Sequence, residues 1–265
     1  MLLRDRPAAG DRGIEARALA NIGSVELWLG RYEQAAGHYQ LALSLFRETS
    51  NRTGEAISLN NLGVAELRVG RFEQAAGHLK EALAHSCADK DEGGQAYALL
   101  SLSEVGLRQH RFDDAAGHLR RALILCRAAS DRTGEAHALA NAGELDLRQG
   151  RLEQAAARLQ EALTLAREIG ERSVEVVALN LRGEVWLAQG DPGQAARCHA
   201  EALTLASKTG RKRDQAHAQD GLARVCQARA DLVQARHHWH RALALYSAMG
   251  SPEADDVRIR LIRLE

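Results

Sequence analysis

Three asparagines recur at one register of the chain, Asn21, Asn61 and Asn141, and three arginines at another, Arg68, Arg108 and Arg148. An asparagine amide both donates and accepts hydrogen bonds, which suits it to the backbone of an extended peptide. An arginine fork pairs two-pronged with a carboxylate. Positions spaced i, i+4, i+7 and i+11 share one helix face. Read at that spacing, the face runs Arg17-Asn21-Ser24-Trp28, Ile57-Asn61-Val64-Arg68, Tyr97-Ser101-Glu104-Arg108, His137-Asn141-Glu144-Arg148, Val177-Leu181-Glu184-Ala188 and His217-Gly221-Arg224-Ala228. Arg17, Asn21, Trp28, Asn61, Arg68, Tyr97, Glu104, Arg108, His137, Asn141, Glu144, Arg148 and Glu184 are the candidate binding residues. The plainer alternative is that Glu104–Arg108 and Glu144–Arg148 only pair along a solvated helix, at about 0.3–0.5 kcal/mol each.

Metal and acid–base chemistry fare worse. His38, His78 and His118 recur once per unit and would stand roughly 10 Å apart, too far to share a metal. They read as surface or groove-edge histidines. His237 and His240, at i and i+3, are a weak candidate pair for adventitious metal, with no third ligand indicated. Between them Trp239 falls in a core column with Tyr39 and Leu79. The chain holds no GxGxxG, P-loop, GxSxG or HExxH pattern. Glu104 and Glu144 each have an arginine that lowers the carboxyl pKa and spoils a general acid. The expectation is a non-enzyme without a cofactor.

These residues are carried by a unit of 40, clearest at 53–92, whose six copies begin at Gly13, Thr53, Gly93, Thr133, Ser173 and Arg213. Such a period signals a repeat array. Two alanine columns never vary: Ala35, Ala75, Ala115, Ala155, Ala195, Ala235, and seven residues later Ala42, Ala82, Ala122, Ala162, Ala202, Ala242. Within a unit, Ala56, Leu59, Leu62, Gly63 and Leu67 make one helical stripe, and Phe72, Ala75, Ala76, Leu79, Ala82 and Leu83 a second. Gly70 between them predicts a helix end with positive φ. Asp191 before Pro192 predicts an N-cap. Residues 1–12 form an N-terminal extension, where Pro7 and Gly10 speak against a long helix and Leu2 and Leu3 fit a helix end or the edge of a longer protein. Repeats span 13–52, 53–92, 93–132, 133–172, 173–212 and 213–252, and 253–265 forms a C-terminal capping helix. Arg182 and His199 replace apolar core residues, predicting either loosening near the end of the stack or a polar pocket between repeats four, five and six.

The pattern L-x-x-N-L-G…G-R-[YF]-E-Q-A…AL resembles the tetratricopeptide repeat. Its 40-residue form is similar to repeats of kinesin light chains, spindle-orientation adaptors and actinobacterial antibiotic-regulatory proteins. Leu replaces the usual early Trp, and six extra residues must lengthen the helices or the turns. The resemblance implies an all-α, right-handed superhelical solenoid whose first helices line a concave groove, and an asparagine column that holds an extended peptide. A lysine-and-asparagine carboxylate clamp is missing from the face positions. The groove is expected to be basic and partly apolar in its N-terminal half and more acidic around Glu184, favouring an acidic peptide with an apolar anchor.

With 35 Lys+Arg against 35 Asp+Glu the net charge is zero, so no global field draws the chain to nucleic acid or an anionic membrane. Cys87, Cys126, Cys198 and Cys226 fit no zinc or redox spacing, and with no apolar leader the chain reads as cytoplasmic; its arginine-rich usage suggests a bacterial source. The function implied is a protein- or peptide-binding scaffold. The alternatives are a regulatory sensor module responding to a peptide or small molecule, and a structural homo-oligomer built through the C-terminal helix.

Overall fold

The computed structural model describes residues 9–264, so the readings of Leu2, Leu3 and Pro7 lie outside the described residues. Those residues form thirteen helices and no strand: α1 (Ala9–Trp28), α2 (Tyr32–Glu48), α3 (Arg52–Arg68), α4 (Phe72–Ala88), α5 (Glu92–Arg108), α6 (Phe112–Ala128), α7 (Arg132–Arg148), α8 (Leu152–Ile169), α9 (Arg172–Ala188), α10 (Pro192–Lys208), α11 (Lys212–Ala228), α12 (Leu232–Ala248) and α13 (Glu253–Ile262). Helix α1 starts ahead of Gly13 with Gly10 in its first turn, so Gly10 does not bar a helix there. In repeats two and three, 17-residue helices alternate with three-residue connections. The extra residues of the unit therefore lengthen the helices and leave the turns tight.

The turns share one device. Every twentieth residue from 30 to 250 has positive φ: glycine at Gly30, Gly70, Gly150, Gly170, Gly190, Gly210 and Gly250, but Ser50, Lys90, His110, Ser130 and Ala230 elsewhere. After α3, Gly70 N–H donates to Leu67 O at 3.2 Å and Arg71 N–H to Glu66 O at 2.9 Å, occupying carbonyls the helix leaves open. A Cβ is strained in this conformation. Ala230→Gly is thus expected to stabilise the protein by about 0.5–1 kcal/mol, seen as a raised urea midpoint; an unchanged or lowered midpoint would refute it.

Both alanine columns are buried, at 0–1% exposure. Small residues on the first helix of each pair face the bulky column of the second: a Cβ on Gly63 would come within 2.6 Å of Leu79, on Gly143 within 2.6 Å of Leu159, and on Gly183 within 2.5 Å of His199. Trp239 is buried in the same column, its Nε1–H donating to Asp220 Oδ1 at 2.8 Å. Ile22 is half exposed instead of buried, because α1 has no helix pair before it and packs chiefly on α2. Asp191 accepts from the N–H of Gly193 and Gln194, capping α10 at Pro192. His199 is fully buried between Gly183 and Gly221, its Nδ1 3.1 Å from Asn180 Oδ1, while Arg182 is only half-buried. His199 and Asn180 are accordingly a tightly enclosed polar pair inside an otherwise apolar core, not a loosened end.

From α3 to α11, each odd-numbered helix touches the next odd one as well as its sequence neighbours. Odd helices therefore lie on the inner, tighter side of the curve. The stack curves until the turns and helix ends near its close touch those near its start. Tyr32 Oη lies 3.7 Å from Met249 Sδ, Gly30 abuts Met249, Gly70 abuts Pro252, and Gly210 abuts the Trp28 ring. Tyr32, Leu27 and Val69 share one apolar cluster with Trp239, Met249, Ala254 and Val257.

Candidate functional site

The ring encloses a cavity of 710 Å³ lined by the odd helices, the turn after α1 and the cap α13. Trp28, Asn61, Arg68, Tyr97, Glu104, Arg108, His137, Asn141, Glu144, Arg148 and Glu184 all line it. Arg17 and Asn21 do not; both are exposed on α1 and lie outside the cavity lining. Trp28 is 54% and Tyr97 43% exposed, so two aromatic faces stand open in the N-terminal half.

The amides are loosely engaged. Asn60 Nδ2 donates to Asn61 Oδ1 at 3.4 Å, Ser101 Oγ to Asn60 Oδ1 at 3.3 Å, and Asn141 Nδ2 to Ser103 Oγ at 3.5 Å. Good bonds of these kinds are nearer 2.8–3.0 Å, so a ligand backbone would compete on favourable terms.

The charges are closely engaged, and not as the helix spacing suggests. Glu104 pairs across to Arg68 of the preceding repeat, with one bond at 3.1 Å, and stands 3.9 Å from Arg108. Burial pushes the Glu104 carboxyl up, but Arg68, Arg213 and Arg108 outweigh it and hold it low, at about 2. Arg108 instead reaches Glu253 of α13 at 3.1 Å. Glu144 and Arg148 do pair along one helix, at 3.1 Å. Glu184 is met by His217 Nε2 at 2.5 Å and by Arg224 at 3.7 Å. Burial raises its carboxyl, and His217, Arg224 and Arg148 bring it well below the usual range. The acidic patch expected around Glu184 is therefore neutralised. In reverse, burial lowers His217 but Glu184 outweighs it and raises its pKa, whereas burial lowers His137. The cavity wall carries eight Arg/Lys against seven Asp/Glu.

Tyr32, Arg213, Glu253 and Arg260 also line the cavity, outside the four face positions. The signal was present one turn earlier on the face: Arg213 is four residues before His217, and Glu253 follows Arg213 by one 40-residue step. The two are adjacent in space, 3.1 Å apart. Lys212 also lines the cavity, from the first turn of α11, outside the four face positions.

His237 and His240 are exposed on α12. Among the described residues no three His, Cys, Asp or Glu side chains gather to hold a metal ion. His78 is half-buried on α4 and not a free surface group, its Nδ1 2.8 Å from the carboxylate of buried Glu66. The cysteines are unpaired, and no described helix is long and apolar enough to cross a membrane.

A tetratricopeptide repeat family model matches residues 15–88 and 94–168, and a second tetratricopeptide repeat model matches 140–208. The chain belongs to the tetratricopeptide repeat family. No curated protein matches it by sequence. Among solved structures, this tetratricopeptide repeat protein is similar to a Rap protein complexed with Competence and Sporulation Factor, with a TM-score of 0.73 and 15% identity over 94% of this chain and 74% of that one. It is similar also to NprR in complex with its cognate peptide NprX (TM-score 0.70, 12% identity, 100% and 73% covered). A third is a signal transduction ATPase with a tetratricopeptide repeat sensor from Pyrococcus horikoshii (0.63, 19%, 91% and 37%). At these identities the likeness is one of fold.

Proposed function

We propose that the protein is a non-catalytic, peptide-binding regulatory scaffold whose ligand lies extended in the lumen. The observation that carries this reading is the combination of loosely bonded asparagine amides with open aromatic faces, Trp28 and Tyr97, inside one cavity. The amides engage backbone without regard to sequence, and the rings accept an apolar anchor. That NprR was solved with its cognate peptide supports a peptide as the ligand class. The arginines of the wall favour an acidic one.

Peptides selected from a random linear library on the wild-type protein are expected to bind Asn61→Ala/Asn141→Ala on the order of 10–100-fold more weakly, at about 1.4 kcal/mol per decade. Circular dichroism would establish that the double variant is folded. Selected peptides that bind both proteins alike would remove the lumen as the site. A regulatory role is favoured over a passive one by the ring itself, since a ligand in the lumen touches repeats from both ends of the stack at once.

A further inference from the structure

Where the two ends of the stack meet, three guanidinium groups, Arg68, Arg108 and Arg213, converge on two carboxylates, Glu104 and Glu253. One positive charge is left over. The Nε of Arg213 is buried and has no hydrogen-bond partner among the described residues. A buried unpaired donor is costly, so an acceptor that reaches it gains a charge-assisted hydrogen bond.

The two carboxylates are held differently. Glu104 belongs to α5 in the middle of the stack and is gripped by Arg68. Glu253 is the first residue of α13, a ten-residue helix that buries only Ala254 and Val257. It bridges Arg108 and Arg213, each at 3.1 Å, through a single oxygen, Oε1. Its other oxygen goes to the Ser251 hydroxyl.

Resting on the reading of the lumen as a peptide site, we infer that Arg108 and Arg213 form a carboxylate-binding site whose resting occupant is the chain's own Glu253. The ligand is a peptide carboxylate, which replaces Glu253 and also serves the unpartnered Nε. Displacement frees the cap from its one charged tether to α5, so ligand binding and ring opening are coupled.

Calorimetric titration of the full chain tests this with hexaglutamate capped at both ends, hexaglutamine with a free C-terminus, and fully capped hexaglutamine as the blank. Capped hexaglutamate should bind, and Glu253→Gln, which removes the competing charge while keeping the shape, should tighten it on the order of tenfold. Arg213→Gln should abolish binding, and Arg108→Gln, checked for folding by circular dichroism, provides the same test if the first variant is unstable. Asp256→Asn lies on the same helix and cavity wall but has no ion pair among the described residues. It should change affinity by less than about twofold, separating displacement from the general field. Binding of free-ended hexaglutamine alone would assign the site to a terminal carboxylate and leave it standing. Equal affinity for wild type and Glu253→Gln, or no binding by any carboxylate probe, overturns the inference. The library-peptide experiment stands apart from both results and judges the lumen independently.

Discussion

Trp239→Ala is expected to cost the protein about 3–5 kcal/mol, the range for truncating a buried aromatic. The indole is fully buried and anchors the cluster that joins the sixth repeat, the cap and Tyr32 of the first repeat. The variant loses its packing on each of these and leaves Asp220 with Arg260 as its remaining side-chain partner. In urea unfolding followed by circular dichroism, the transition should move to much lower denaturant and lose cooperativity, because the far repeats no longer report on one another. Trp28→Ala is the contrast: that ring is half exposed in the lumen, and its loss should cost less than about 1 kcal/mol. A Trp239→Ala protein as stable as Trp28→Ala would mean that the Trp239 cluster does not hold the sixth repeat, the cap and Tyr32 together.

Acid is expected to weaken the fold through His199. Burial, with the charge of His217 adding to it, lowers its pKa to about 3, against an ordinary value of 6.5. As pH falls, the unfolded chain takes the proton first, so stability is whole above about pH 6.5 and is lost progressively toward pH 3. The loss from this one group amounts to about 2 kcal/mol by about pH 5. His217 works in the opposite sense, since its folded pKa is raised: its contribution is present below about pH 6.5 and fades as pH rises through the folded value. The double variant His199→Leu/Asn180→Ala rebuilds the pair that repeat four carries as Leu159 and Ala140. Its stability should fall less steeply between about pH 6.5 and 5, the carboxylates held low by arginines titrating below that window in both proteins. Parallel pH profiles for the two proteins would rule out His199 as the acid-sensitive group.

Much of this was legible in the residues, for an identifiable reason. The alanine columns and the Gly63–Leu79 and Gly143–Leu159 contacts arise inside one unit or between neighbours, and six copies print the same pattern repeatedly. The face of Asn61, Arg108 and Asn141 follows from helix periodicity alone. The ring does not. Its closure is the sum of small rotations between repeats, and no local pattern records that sum. Hence helix spacing pairs Arg108 with Glu104, its neighbour along the helix, whereas its closer partner is Glu253, from the other end of the chain. Glu184 likewise looked acidic because Arg224 and His217 reach it from the next repeat. Buried His199 was legible as an anomaly, but its accommodation between Gly183 and Gly221 required seeing both neighbours.

A left-handed residue at every twentieth position makes the units interchangeable in register, so an open array of this kind gains or loses a repeat without harm to its neighbours. A closed one counts. Tyr32 meets Met249 and Arg108 meets Glu253 only for the number of units between them. One unit more or fewer would carry the cap past its partners while leaving every local contact intact. Length, which a solenoid ordinarily leaves free, is here tied to the contacts between its ends.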